Sequence, residues 1–207
     1  MRFRRPSAGL EEGDLALVAR VVPGWADLDD AERERLTDDS DRLLRRKRWE
    51  AAQGVVSSGP VTILGEAAGG RGPVVIAWDR VREDTRHHER GHNVVIHEFA
   101  HKIDMLDDVV DGTPPLAAAQ YERWVRVCTE AFERLRTGDG PRTLRDYAAV
   151  GPGEFFAVAT EVFFGAPRTL RDGEPDLYDV LCAFYRQDPA SRGTHDAPPG
   201  RSGGASA

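Results

Sequence analysis

Cysteine and lysine are scarce in this sequence of 207 residues, and each scarcity excludes something. Cys128 and Cys182 are the only cysteines, lie far apart, and have no partner ligand close by in sequence. Neither a disulfide framework nor a cysteine-based metal site is therefore suggested, and both are expected to be buried thiols. Lys47 and Lys102 are the only lysines, so the positive charge is almost wholly arginine, and the net charge is −7. The one basic cluster, Arg42, Arg45, Arg46, Lys47 and Arg48, sits in a stretch dense with Asp and Glu. It reads as a solvated helix face and not as a nucleic-acid surface. No segment reaches the roughly 18 apolar residues of a membrane helix. The start, Met1 to Pro6, carries charge without the apolar run of a secretory signal, so the cytoplasm is the expected address.

What is present is enough for one globular domain: 40% of the residues are apolar, and the length suits a single core. Residues 1–22 read as a loosely attached arm, 23–190 as the domain, and 191–207 as a disordered tail of Ser, Gly, Ala, Pro and Arg. Leu36, Leu43 and Leu44 recur at helical spacing between Asp29 and Ala52, predicting a long, half-exposed helix. Val61 to Leu64 and Val74 to Trp78 read as two strands. Further helices are predicted from Val94 to about Leu106, from Pro114 and Pro115 through Trp124, Val127 and Phe132 to Leu135, from Glu154 to Phe164, and from Leu177 to Tyr185. The class expected from this pattern is α+β, mostly helical with a small sheet.

The chemistry is concentrated in His97, Glu98, Phe99, Ala100 and His101. Residues four apart share a helix face, so both imidazoles of this HExxH pattern can reach one ion, while Glu98 projects to the side and can serve a water without being a ligand. Six histidines and 15 glutamates in 207 positions would produce such a match by chance in about 1% of chains. Asn93 is a plausible N-cap for this helix. His87, His88, His92 and His195 fall in polar segments and are read as exposed residues without a role.

A third ligand has three candidates. Asp107 stands six residues after His101, where one class of zinc peptidases places a ligand beyond a glycine turn. Asp104 occupies the position of that glycine, so the helix is expected to continue and to carry Asp107 away. Glu154 and Glu161 are seven apart and share a face of the later helix. Glu154, in the first turn beside the Pro152-Gly153 loop, is the preferred ligand, with Glu161 as a supporting carboxylate. Tyr147 could face the open metal position, although taken alone it reads as an ordinary half-buried tyrosine.

The strings HEFAHKIDMLD (His97 to Asp107), DGTPPL (Asp111 to Leu116), YAAVGPGEFFAVATEVFF (Tyr147 to Phe164) and FYRQDP (Phe184 to Pro189) resemble the Mlc titration factor A family of zinc peptidases. The resemblance extends from about Trp25 to Ala190. It implies a zincin-like fold with a site similar to that of the anthrax lethal factor catalytic domain. It also implies one Zn²⁺ held by His97, His101 and Glu154, with Glu98 as general base and Tyr147 as the donor to the transition state. The implied activity is hydrolysis of a peptide or protein substrate, as an aminopeptidase or an endopeptidase. The implied alternative is binding of a transcriptional repressor by a weakly active or inactive member. Relatives carry an extra apolar helix and strand that this chain lacks after Gly54, so a shortened N-terminal half is expected.

Overall fold

The computed structural model of the chain describes residues 12–21, 25–46, 65–67, 74–76, 78–87, 91–139 and 141–192. Two helices come first, α1 (Glu12–Val21) and α2 (Asp30–Arg46), separated by a 3-10 turn at Trp25–Asp27. Helix α1 stands where the sequence suggested an arm. Helix α2 begins with a reciprocal capping box: the Glu32 amide donates to Asp29 Oδ1 at 2.7 Å, and the Asp29 amide donates to Glu32 Oε2 at 3.1 Å. Arg192 reaches back to Glu32 at 2.9 Å, tying the end of the described chain to α2.

Two short strands follow, β1 (Gly65–Ala67) and β2 (Val74–Ile76), paired antiparallel with Glu66 opposite Val75. They lie against α4 (Val94–Asp104), which follows α3 (Trp78–Arg86). The expected strand from Val61 to Leu64 lies outside the described residues, as do the stretch after Gly54, His88, His195 and residues 193–207.

The α+β class is overturned. Three residues per strand make a ribbon and not a layer, since a sheet needs longer strands and an apolar face to build a core. The buried apolar residues come from helices and the turns between them, and the described chain is all-α in class. Trp78, expected to end a strand, opens α3 instead.

Helices α5 (Ala118–Thr137), α6 (Pro152–Gly165), α7 (Pro167–Gly173) and α8 (Pro175–Tyr185) form the body. Helix α6 is the central one. Every residue from Phe155 to Phe163 is buried, as expected of a helix that is apolar on all sides. Trp124, Phe156 and Phe184 meet on one side of it, with ring centroids 5.3 to 6.1 Å apart. Phe163 packs against Phe164, Tyr178 and Tyr185 at its other end. Burying such rings is worth about 1.5 to 3 kcal/mol each before entropy is counted, so this cluster contributes substantially to stability.

The sequence marks that predicted boundaries act in both directions. Gly165 and Pro167 end α6 as expected, but Pro167 is also the first residue of α7, a position that proline favours because no amide is needed there. Pro114 and Pro115 precede α5 and do not start it. Helix α5 ends at Gly138 with φ +75°, where the Asp139 amide bonds the Arg134 carbonyl at 3.0 Å. His87 and His92, expected to be exposed, are half-buried, and Cys128 and Cys182, expected to be buried, are free and half-buried.

Candidate metal centre

Helix α4 is held at its start from three directions. The Asn93 side chain accepts from the Ile96 amide at 3.0 Å, Asp84 Oδ2 accepts from the Val94 amide at 2.8 Å, and the Asn93 amide donates to Glu161 Oε2 at 2.8 Å. The buried stripe of α4 runs Val94, His97, Glu98, Ala100 and Asp104, so its chemical face is the inward one, packed on α6. Helix α6 opens with Gly151 as cap, Pro152, and Glu154 in its first turn, where unpaired amides favour a carboxylate.

These two helices bring three donor atoms to one point. His97 Nε2 and His101 Nε2 are 3.2 Å apart, and Glu154 Oε2 lies 3.1 Å from the first and 3.5 Å from the second. Ligands bonded to a tetrahedral ion at about 2.0 to 2.1 Å sit about 3.3 Å from one another, so the triangle has the size a metal requires. Glu154 Oε2 is buried and satisfies no hydrogen bond despite this closeness, as expected of a donor set arranged around a cation. Among the described residues this is the group of His, Cys, Asp and Glu able to hold a metal ion.

The remaining expected residues lie around the triangle. Glu98 is 4% exposed; burial pushes its carboxyl above the ordinary range, and the His97 and His101 charges pull it part of the way back. Tyr147 lies in a 3-10 turn at Asp146–Ala149, half-exposed, with its ring centroid 6.1 Å from that of His97. Burial raises its phenol, and the nearby negative charge of Glu154 raises it further. Asp107 is exposed in the 3-10 turn Met105–Asp107 and accepts from the Val109 amide at 3.2 Å, away from the triangle.

Glu161 supports His97 from behind. Its Oε1 is 2.7 Å from His97 Nδ1, which fixes the ring so that Nε2 faces the triangle. Burial alone would push His97 down, but the close carboxylates of Glu154 and Glu161, the second hydrogen-bonded to Nδ1, outweigh it, and the metal-free imidazole stands at about 9. Burial would likewise raise both carboxyls. His101 and His97 instead hold Glu154 below the ordinary range, and His97 and Arg145 do the same for Glu161.

Sequence reasoning missed Arg145 and Asp84. Arg145 Nη2 meets Glu161 Oε1 at 2.6 Å and Nη1 meets Oε2 at 3.1 Å. One arginine among 26 carries no signal in a sequence this rich in them. Asp84 lies in α3, a helix the sequence did not disclose.

The family profile described as glucose-regulated metallo-peptidase M90 matches residues 52–186, well over half of the chain. The chain belongs to this family. It is 36% identical over 152 residues to the Mlc titration factor A of Edwardsiella ictaluri, covering 70% of this chain and 57% of that protein. The Mlc titration factor A of Serratia proteamaculans is 35% identical over 150 residues, with 70% and 56% covered. An uncharacterised protein of Synechocystis sp. is 34% identical over 139 residues, with 65% and 50% covered. The chain thus spans little more than half the length of the curated relatives it matches. Membership of the M90 metallo-peptidases implies a metal ion, and the donor triangle of α4 and α6 fits one. No helix among the described residues is long and apolar enough to cross a membrane.

Proposed function

We propose that this M90 chain hydrolyses peptide bonds with a zinc ion held by His97, His101 and Glu154. The observation that carries the reading is the triangle of donor atoms with edges of 3.1 to 3.5 Å, next to the buried Glu98. Two imidazoles and one carboxylate are a donor set suited to zinc that leaves a fourth position open. When bound, zinc supplies Lewis acidity, polarising the scissile carbonyl and lowering the pKa of a water toward about 7.

The chain's own residues do the rest. Glu98 takes the proton from the attacking water and delivers it to the leaving amine. Its raised affinity for a proton, caused by burial, suits both halves of that transfer. Tyr147 donates its hydroxyl to the oxygen on which negative charge develops. A phenol with a raised pKa stays neutral and able to donate throughout the neutral range. Glu161 holds His97 by Nδ1 and so keeps Nε2 turned toward the ion.

Glu98→Gln keeps the shape of the site and removes the base. The variant is expected to retain one zinc ion per chain and to lose about 10²- to 10⁴-fold in peptide cleavage. Cleavage at the parent rate by a zinc-loaded Glu98→Gln protein refutes this mechanism. A second reading, favoured by the relatives being Mlc titration factors, is capture of a transcriptional repressor. Retention of a repressor by Glu98→Gln, together with no cleavage by the parent, selects that reading.

A further inference from the structure

We infer that Arg145 is a positioning residue that couples the two arms of the site, the histidine arm through Glu161 and the phenol arm through Tyr147. The inference rests on the peptidase reading for its catalytic half and on geometry alone for its metal half.

The histidine arm is built as a chain of charge-assisted bonds. Glu161 is 2% exposed and accepts four hydrogen bonds: from His97 Nδ1 at 2.7 Å, from the Asn93 amide at 2.8 Å, and from Arg145 at 2.6 and 3.1 Å. A carboxylate has about four lone-pair sites, so these donors leave none free and fix its plane. Arg145 contributes two of the four and the only full positive charge that the metal does not displace. When zinc occupies the triangle, His97 is neutral, and Arg145 is then what balances the buried charge of Glu161. Without it, two of the four donors that fix the Glu161 carboxylate are gone, and the carboxylate orients the His97 ring less firmly.

The phenol arm starts from the same guanidinium. Its carbon lies 5.7 Å from the centroid of the Tyr147 ring, within the range of a cation over an aromatic face. Tyr147 is half-exposed and stands in a short 3-10 turn, where its ring meets the guanidinium and, with centroids 6.1 Å apart, the ring of His97. A planar guanidinium can fork onto a carboxylate and lie against a ring at once, whereas a lysine ammonium offers a point charge and no face. Arg145 is paired with Glu161 and does not belong to the donor triangle, so it acts through these two neighbours.

The test measures zinc affinity by competition with a chromophoric chelator, and kcat and KM on a peptide at saturating zinc, in the full chain. Arg145→Ala is expected to weaken zinc binding about 10- to 100-fold. With zinc restored to saturation it should still show a kcat lowered toward that of Tyr147→Phe, at nearly unchanged KM. Glu161→Gln should reproduce only the loss of zinc, and Tyr147→Phe only the loss of kcat. Arg145→Lys should recover most of the zinc affinity and little of the kcat. An Arg145→Ala protein with either quantity within about twofold of the parent overturns the coupling. If circular dichroism shows that Arg145→Ala does not fold, Arg145→Lys decides: parent-like kcat overturns the inference, and low kcat with near-parent zinc affinity supports it. If the parent cleaves no peptide, the peptidase reading fails separately. The zinc affinities of Arg145→Ala and Glu161→Gln then decide the metal half, and parent-like binding in both overturns it.

Discussion

Gly112 sits behind the metal centre, and replacing it with alanine tests how tightly the fold positions Glu154. Its amide donates to Asp104 Oδ2 at 3.0 Å, and its carbonyl accepts from Trp124 Nε1 at 3.2 Å, so the loop after α4 is pinned to both α4 and α5. Its φ is +76°, and a Cβ there would stand 2.8 Å from the Pro152 carbonyl carbon and closer still to the carbonyl oxygen. Relief to ordinary carbon contact at about 3.5 Å moves the backbone at Pro152 by more than about 0.5 Å. Glu154 is two residues further on, and a binding constellation tolerates misplacement of only about 0.5 Å. Gly138 provides the control, since its φ is +75° and nothing lies within 4 Å of a Cβ built on it. Gly138→Ala therefore pays only for the left-handed backbone, about 1 kcal/mol, with zinc affinity unchanged. Gly112→Ala pays that and an overpacking cost, about 2 to 4 kcal/mol together, against a total stability of about 5 to 15 kcal/mol. It should also bind zinc about tenfold or more weakly. Urea denaturation and chelator competition on both variants give the comparison. Equal stability and equal zinc affinity for the two alanine variants would show that the Gly112–Pro152 contact does not position the ligand.

Two other outcomes follow from the same geometry. Asp104 has no exposed surface and one oxygen without a partner; burial pushes its carboxyl up to about 6, while the Gly112 amide and His101 pull it down. A carboxyl raised in the folded state favours folding when protonated, so its contribution is full below about pH 4 and is lost as pH rises through about 6, a change of about 3 kcal/mol. Asp104→Asn should accordingly gain stability relative to the parent between pH 4 and 7 in denaturant titrations, and a flat difference refutes the raised value. Removing metal with a chelator should leave the helical signal intact, because the aromatic packing of α5, α6 and α8 uses none of the three donor side chains. Zinc at about 100 times its dissociation constant should then add about 2.7 kcal/mol of stability, read as a rise in Tm. A Tm indifferent to zinc would mean that the three donors hold no ion.

The sequence alone determined what is local. His97 and His101 share a face because helix geometry puts residues four apart together, Asn93 caps their helix because a short polar side chain can reach the third amide, and Gly138 ends α5 because only glycine takes its backbone without cost. Glu154 and Glu161 were legible as one face of a later helix for the same reason. Tertiary structure decided everything that spans the chain: that α4 lies against α6, that Glu154 reaches the triangle while Glu161 takes the far nitrogen of His97, and that Arg145 backs Glu161. It also decided the class, since the short β1–β2 ribbon adds no layer beside a core that helices fill. Periodicity reports which side of an element is apolar, but the partner of that side, and the polar groups buried with it, are chosen by packing between residues sixty or more positions apart.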